Sequence, residues 1–232
     1  MALLDRLKSD VQHFGWKGAF GTWSLTGAKR GAKLTILQCV MLPSAKPEML
    51  KTNPRYSCGF LTREQLMAFA GDPANELTPA FVQSALAKGD RCFGILDGNA
   101  LAAYGWYSTK PTAMDDSLVL HFDSRYVYMY KGFTHPNYRG QRLHAVGMGM
   151  ALNVYLAEGS RGIVSYVEAQ NLSSLKSCYR LGYLNMGKIF IWEALGQPRI
   201  YSDSWCRFYG MKVAVATVAK TAPAQVLEPV QP

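Results

Sequence analysis

The sequence lacks the features that mark several classes of protein. Its 232 residues contain no uninterrupted apolar run of the ~18 residues that a membrane-spanning helix needs. The first ten residues carry four charged side chains, where a secretory signal would have an apolar stretch. We therefore expect neither a membrane-spanning helix nor a cleaved signal, and we expect the chain to be cytoplasmic.

Cysteine is sparse and scattered along the chain. The five cysteines form no C-x-x-C pair; they are Cys39, Cys58, Cys92, Cys178 and Cys206. A disulfide framework normally has an even number of cysteines, and a structural zinc site draws its thiolates from closely spaced pairs. We expect free thiols and no bound metal.

Dense blocks of basic residues are also missing. The chain has 25 Lys and Arg against 16 Asp and Glu, a net charge of +9 at pH 7, but these residues are spread out. A nucleic-acid-binding arm normally contains a basic block, so we expect no nucleic-acid partner. The excess charge attracts polyanions in general. A phosphorylated co-substrate, an acidic carrier protein and an anionic membrane surface all stay open as partners.

The chain divides by composition into three parts. Residues 1–50 form a basic, aromatic N-terminal extension that ends in a first strand, predicted over 33–42 and stopped by Pro43. Apolar residues at helical spacing near its start predict a short amphipathic helix that docks on the main body or contacts a membrane or a partner. Residues 51–210 form the main domain. Residues 211–232 lack periodicity and are predicted to be a flexible tail.

Strand and helix patterns follow one another in the main domain. Thr62 and Thr78 are predicted to cap two helices, and the stretch Asp97, Gly98 and Asn99 closes a β-hairpin. Further strands are predicted over 125–133, 163–167 and 183–192, and further helices over 144–157 and 173–181. The domain is therefore expected to be of the α/β class.

The strand 125–133 contains a stripe of tyrosines. Alternation places Tyr126, Tyr128 and Tyr130 on one face. Lys131 is expected on the other face with Val127 and Met129. We interpret the tyrosine stripe as sheet packing, because aromatic residues commonly cover the face of a sheet.

A basic turn joins this strand to the helix 144–157. It reads His-Pro-Asn-Tyr-Arg-Gly-Gln-Arg over residues 135–142. The first N–H groups of a helix lack partners within it, and the positive end of the helix dipole favours a phosphate. Gly140 would let a ligand approach the backbone, while Arg139 and Arg142 would add positive charge. The turn therefore predicts a phosphate-binding site.

The same turn resembles the acyl-CoA-binding motif of the GCN5-related N-acetyltransferases (GNAT). The family motif V-x-P-x-Y-R-G-x-G-[IL]-G is met here by T-H-P-N-Y-R-G-Q-R-L-H. A second family pattern, N-x-x-[AS] followed by Gly and an aromatic residue, is similar to N-L-S-S-L-K-S-C-Y-R-L-G-Y over 171–183. The resemblance covers 91–192 and implies a GNAT-like central mixed, mostly antiparallel sheet flanked by helices. It also implies acetyl-CoA or another acyl-CoA as co-substrate.

The resemblance assigns coenzyme binding to the end of the strand, the turn and two later positions. The residues that it implies are Phe133, Thr134, Arg139, Gly140, Gln141, Arg142, Leu143, His144, Ala145, Asn171 and Ser174. A main-chain N–H near Phe133 or Thr134 would stabilise the oxyanion, at the place where this strand diverges from the strand 163–167. This sequence departs from the motif at two family glycines, which are replaced by Arg142 and His144.

The proton-transfer groups match the family less closely. Many members have a tyrosine seven residues after the motif asparagine, whereas here Cys178 holds that position and Tyr179 follows. Either side chain could protonate the departing thiolate, and so could solvent, because a thiol pKa is ~8.5. The candidate base for an amine acceptor is Glu168, with His121, Asp123 and His135 as alternatives.

The implied function is transfer of an acetyl or longer acyl group from acyl-CoA to an amine or hydroxyl of a small molecule or sugar. The acceptor attacks directly, without a covalent enzyme intermediate. A carrier-protein-dependent long-chain N-acyltransferase is one alternative, for which the net charge of +9 is the argument. A non-catalytic acyl-CoA-binding module is the other, because the motif tyrosine and glycines are replaced. The identity of the acceptor stays open, since the family uses many acceptors on one fold. The oligomeric state also stays open, and a homodimer is possible.

Overall fold

The computed structural model describes residues 34–194 and 197–216, so the amphipathic helix expected near residue 1 lies outside the described residues. The strands are β1 (Leu34–Leu42), β2 (Tyr56–Phe60), β3 (Arg91–Asp97), β4 (Ala100–Ser108), β5 (Thr112–Ala113), β6 (Leu118–His121), β7 (Val127–Thr134), β8 (Ile163–Glu168), β9 (Leu184–Ala194), β10 (Gln197–Ser202) and β11 (Lys212–Val215). The helices are α1 (Arg63–Phe69), α2 (Pro79–Lys88), α3 (Leu143–Ala157), α4 (Leu172–Leu181) and α5 (Ser204–Phe208).

Eight strands form one mixed sheet in the order β10-β9-β1-β8-β7-β4-β3-β2. The pair β7 and β8 is parallel, and the other registered pairs of this sheet are antiparallel. The predicted mixed, mostly antiparallel sheet with flanking helices is thus confirmed. β1 pairs with both β8 and β9, so the strand that we assigned to the N-terminal extension lies inside the domain's main sheet.

Helices cover both faces of the sheet. Because neighbouring residues of a strand point to opposite faces, Val127 and Tyr128 of β7 show what each face packs against. Val127 joins a core cluster with Met148 and Leu152 of α3, against which Cys178 of α4 packs. Tyr128 joins a cluster with residues of β6, β11 and α5. α1 and α2 pack on a third cluster that contains the end of β7.

Local signals in the sequence explain the helix ends and the hairpin. Thr62 makes a capping box with Gln65 at the start of α1, and Thr78 caps α2 directly before a proline at its first position. Gly89 ends α2 in a left-handed conformation with φ of +96°. β3 and β4 form the predicted hairpin. All five cysteines are free, as expected.

The predicted flexible tail needs correction at its beginning. Residues 212–215 form β11, which pairs with β6 in a second sheet of order β11-β6-β5. Val213 is buried there opposite Leu120. The sequence pattern of such a short strand is weak, and long-range pairing decides its structure. Residues 217–232 lie outside the described part of the chain.

Candidate functional site

β7 and β8 run parallel at the middle of the sheet and then separate. The registered pairs are Val127 with Ile163 and Tyr128 with Val164, all at the beginning of the two strands. At the next position the Ser165 hydroxyl donates to the Met129 carbonyl at 3.0 Å, so a side chain replaces a backbone donor. Among the described strands, the remainder of β7 has no registered partner on its β8 side. Backbone groups on this edge are available to a ligand.

A β-bulge bends β7 where it leaves β8. Consecutive residues of β4, Trp106 and Tyr107, pair with Lys131 and Met129, so Tyr130 between them has no partner on β4 and is the extra residue of the bulge. The bulge turns Lys131 towards the tyrosine face, where its ammonium lies 5.6 Å from the ring centroid of Phe81. The prediction that Lys131 shares a face with Met129 is therefore wrong, because alternation does not continue through a bulge.

A buried polar network holds Tyr130 at the bulge. Its hydroxyl donates to the Asp90 carboxylate at 2.7 Å, and the Lys88 ammonium lies 3.0 Å from the same oxygen. Lys88 also donates to the Thr112 hydroxyl at 2.8 Å. Removing one partner of a buried ion pair leaves the other charge uncompensated, which is costly. The network therefore fixes the strand at its point of divergence.

Phe133 and Thr134 end β7 beside the gap between the strands. Phe133 is buried and stacks on Tyr104, with ring centroids 5.4 Å apart. Thr134 lies opposite Ala103 on β4. The side chain of Phe133 therefore serves packing, and only the main chain at this position can contact a ligand.

The turn between β7 and α3 has two residues in the left-handed region. Gly140 has φ of +80° and Arg142 has φ of +60°. This conformation is unfavourable by ~1–2 kcal/mol of free energy for a residue that has a side chain, whereas glycine adopts it freely. Arg142 stands where the family motif has glycine. The sequence thus departs from the motif while the backbone keeps the conformation that glycine favours.

Hydrogen bonds attach this turn to β2 and β3. The Tyr56 hydroxyl donates to the Gln141 side-chain carbonyl at 2.6 Å, and the Tyr138 hydroxyl donates to the Asp97 carboxylate at 3.1 Å. Arg55 donates to the same Asp97 oxygen at 2.7 Å. Gln141 is therefore engaged in holding the turn in place.

The N-terminus of α3 differs from those of the other described helices. Side chains cap α1, α2, α4 and α5; these are Thr62, Thr78, Asn171 and Asp203. Among the described residues, no side chain caps α3. The side chain of Leu143 is buried, so only its main chain could contact a ligand, and Ala145 packs against the core. Arg139 and Arg142 are exposed beside these free donors. Uncapped donors next to two cations suit a phosphate group.

His144 occupies the first turn of α3 and packs on β7. A Cβ placed on Gly132 would overlap the Cε1 atom of His144, so the ring covers the strand where Gly132 has no side chain. Burial lowers the pKa of His144. The imidazole is therefore held neutral over a wider range of pH than a free histidine, and it brings no fixed charge to the turn.

Asn171 and Ser174 form the cap of α4. The Asn171 side-chain oxygen accepts from the Ser174 N–H at 3.1 Å and from the Ser173 hydroxyl at 3.0 Å. This geometry accounts for the motif asparagine as a helix cap. The proposed coenzyme contact of these two residues stays a prediction.

Cys178 and Tyr179 point in different directions on α4. Cys178 is half-buried against the core that lies beneath α3, and burial raises the pKa of its thiol. Tyr179 is 43% exposed. Burial also raises the pKa of the Tyr179 hydroxyl, which keeps it protonated and able to donate.

Glu168 is exposed at the end of β8 and accepts a hydrogen bond from Gln170. The alternative bases are more constrained or lie elsewhere. Asp123 accepts from Arg125, which lowers the pKa of the carboxylate to about 2, so it is a weak base. His135 accepts from the Asn137 N–H at 3.3 Å and caps the turn. His121 ends β6, in the second sheet.

Sequence reasoning missed the residues that shape the gap. No local sequence pattern predicts the roles of Ser165, Tyr130 and Tyr56, because each of them bonds to a partner far away in the chain. Gly132 carried a usable signal, because a glycine inside a strand often marks the close approach of another group.

No family model matches the chain, and no curated protein matches it either. Solved structures do match. A tandem GNAT protein from the clavulanic acid biosynthesis pathway shares 16% identity and a TM-score of 0.48, over 76% of this chain and 59% of that one. A GCN5-related N-acetyltransferase-like protein from Streptococcus suis shares 12% identity and a TM-score of 0.46, over 75% of this chain and 68% of that one.

An acetyltransferase from the GNAT family of Colwellia psychrerythraea shares 14% identity and a TM-score of 0.46, over 69% of this chain and 56% of that one. The chain spans 59–63% of the length of several of the solved chains that it matches. Similarities at this level are too weak to assign an activity.

The described residues contain neither a cluster of metal ligands nor a membrane-spanning helix. Within residues 34–194 and 197–216, no group of three or more His, Cys, Asp or Glu side chains is placed to hold a metal ion. In the same ranges no helix is long and apolar enough to cross a membrane.

Proposed function

We propose that the chain is an acyltransferase that moves an acetyl or longer acyl group from acyl-CoA to an amine or hydroxyl of a small molecule or sugar. The observation that carries this proposal is the gap between β7 and β8 beside the uncapped N-terminus of α3. A phosphate-binding helix end next to an unpaired strand edge suits a ligand with a pyrophosphate and an extended amide-containing arm. The motifs that resemble the GNAT family lie on these same elements.

The pyrophosphate would bind at the start of α3. Its oxygens would accept from the N–H groups of Leu143, His144 and Ala145, and from the guanidinium groups of Arg139 and Arg142. Gly140 carries no side chain, so it leaves room for the ligand beside the turn. Gln141 would assist indirectly, because its bond to Tyr56 holds the turn.

The pantetheine arm would then lie along the free edge of β7. Its amides would pair with the backbone groups that do not pair with β8, as an additional strand would. A main-chain N–H near Phe133 or Thr134 would stabilise the oxyanion as the acceptor attacks the thioester carbonyl. The His135 N–H is unsuitable, because it already donates to the Ala102 carbonyl at 3.0 Å.

Two proton transfers complete the reaction. An amine acceptor must lose a proton, and we assign this role to Glu168, acting directly or through water. The departing thiolate must gain one, and Tyr179 is the better candidate because Cys178 packs into the core. Solvent could supply this proton instead, since a thiolate is a weak base.

A non-catalytic acyl-CoA-binding module is the second candidate function. It is favoured by the burial of Cys178, which holds the family's acid position and is turned into the core. In that case the coenzyme would bind and no thiol would be released, whatever acceptor is offered.

Arg139 provides the test of the binding site. The variant Arg139→Gln should weaken CoA binding about tenfold, because it removes a charge-assisted hydrogen bond. Arg63→Gln is the matched control, since Arg63 is also exposed but lies on α1, on the other side of the sheet. The affinities can be compared by calorimetric titration with CoA. Equal CoA affinities of wild type and Arg139→Gln would reject the phosphate site. Equal losses of affinity in Arg139→Gln and Arg63→Gln would show that only the overall charge of the protein matters.

A further inference from the structure

An exposed aromatic ridge projects from α5. It consists of Trp205, which is 61% exposed, Phe208, which is 75% exposed, and Tyr209 directly after the helix, which is half-buried against the core. The three rings contact one another: the centroid of the Phe208 ring lies 5.1 Å from that of Tyr209, and the centroids of Trp205 and Tyr209 are 6.4 Å apart. This ridge is remote from α3 in sequence and takes no part in the function proposed above.

The structure of α5 explains why the ridge faces outwards. Asp203 caps the helix, and Cys206 is fully buried against the core. Because residues three apart share one side of a helix, burial of Cys206 directs Trp205 and Phe208 away from the core. Each large aromatic side chain offers roughly 150–250 Å² for burial. Leaving two such side chains in water is unfavourable unless another surface covers them.

Basic side chains lie in two grooves near α5, the first of which includes Trp205 itself. A groove of 420 Å³ contains Lys188 and Trp205, and a groove of 630 Å³ contains Arg207 and Lys212. Two carboxylates also line these grooves, Asp203 in the first and Asp123 in the second. Asp203 accepts from the N–H groups of Lys188 and Cys206, and Asp123 is paired with Arg125 as described above.

We propose that the α5 ridge docks on an anionic phospholipid surface. Trp205 and Phe208 would enter the interfacial region of the bilayer, where tryptophan and other aromatic rings are favoured. Lys188, Arg207 and Lys212 would contact the lipid phosphates. Attraction between a basic surface and an anionic leaflet supplies further affinity.

Charge makes a lipid surface a better occupant than a second copy of the chain. Two copies that met at this ridge would bring their lysine and arginine side chains within a Debye length of about 8 Å. In the grooves beside the ridge the cations Lys188, Arg207 and Lys212 outnumber Asp203, and Asp123 is already paired with Arg125. The net charge of +9 adds to the repulsion between copies and to the attraction for anionic lipid.

Vesicle sedimentation with the full chain tests the proposal. Wild type should sediment with vesicles of phosphatidylcholine and phosphatidylglycerol, less with phosphatidylcholine alone, and less as salt is raised. The double variant Trp205→Ser, Phe208→Ser should lower the partition coefficient about tenfold or more. Leu184→Ser is the matched control, because Leu184 is 52% exposed on β9, outside the ridge; it should bind as wild type does. Far-UV circular dichroism of each variant checks that it is folded.

Three results would overturn the proposal. Equal partition of wild type and the folded double variant would show that the ridge does not insert. Equal binding to neutral and anionic vesicles would remove the role of the basic residues. Absence of vesicle binding, with a dimer in sedimentation equilibrium that the double variant abolishes, would assign the ridge to contact between copies.

Discussion

Arg142 has the backbone conformation of a glycine and the side chain of a phosphate ligand. The two properties can be separated by substitution. Arg142→Gly removes the guanidinium and relieves the left-handed strain, so the free energy of unfolding should stay the same or rise by about 1 kcal/mol. Arg142→Ala removes the guanidinium and keeps the strain, so it should be less stable than Arg142→Gly by about 1 kcal/mol. Urea unfolding measures both values.

The same two variants show whether the arginine replaced the family glycine for its charge. We expect both to bind CoA about tenfold more weakly than wild type, because each loses one charge-assisted hydrogen bond. Wild-type affinity in both would mean that the backbone N–H groups of α3 bind the phosphates without help from Arg142.

His144 should make the stability of the protein depend on pH. Burial lowers its pKa in the folded state, so the unfolded chain takes up a proton at a higher pH than the folded chain does. The contribution of His144 to the free energy of unfolding is therefore complete above the ordinary histidine pKa of ~6.5. It is lost as the pH drops below that value. The slope contributed by this residue is at most about 1.4 kcal/mol per pH unit.

Urea unfolding of wild type and His144→Asn across the acidic range measures this dependence. The variant should have the shallower slope in the interval directly below the ordinary histidine pKa. Identical slopes would show that His144 is solvated in the folded state, contrary to its packing on Gly132.

At the scale of elements, the contact between α3 and β7 depends on the absence of a side chain at Gly132. Gly132→Ala would place a methyl group against the His144 ring, and we expect a loss of about 1–3 kcal/mol in the free energy of unfolding. In a His144→Ala background the same change should cost less, because only the flexible end of Met129, whose Cε would lie 2.8 Å from the added methyl group, still has to move. Gly59→Ala on β2 is the control, since nothing lies within 4 Å of a Cβ there. A full loss in both backgrounds would place the clash elsewhere.

Elements with local signals were predictable from the sequence. Thr62 and Thr78 predicted the starts of α1 and α2, and Gly98 with its neighbours predicted the turn between β3 and β4. The bulge at Tyr130 was not predictable, because it depends on a register with β4 and on a bond to Asp90, forty residues earlier in the chain. Short strands such as β2, β6 and β11 were missed for the same reason, since pairing rather than pattern specifies them.

At the scale of the molecule, the sequence indicated the class of fold and the turn but not the strand order. β1 lies between β8 and β9, strands that come more than a hundred residues later in the chain, and no local pattern encodes that choice. The candidate site shows the same division. The turn from Arg139 to Ala145 was predicted from its motif, and the resemblance implied that β7 diverges from β8, whereas the roles of Ser165 and of the bulge depend on partners distant in the chain.

We propose that the gap between β7 and β8 and the turn before α3 together bind acyl-CoA and transfer its acyl group. The most direct test is calorimetric titration of the protein with CoA, acetyl-CoA and longer acyl-CoAs, followed by a thiol-release assay with a panel of amines and amino sugars. We expect saturable binding of the coenzyme and thiol release that depends on one class of acceptor. Binding without release for any acceptor would favour the non-catalytic module. Failure to bind any of these coenzymes would reject the proposed coenzyme site and leave an acyl carrier protein as the remaining donor.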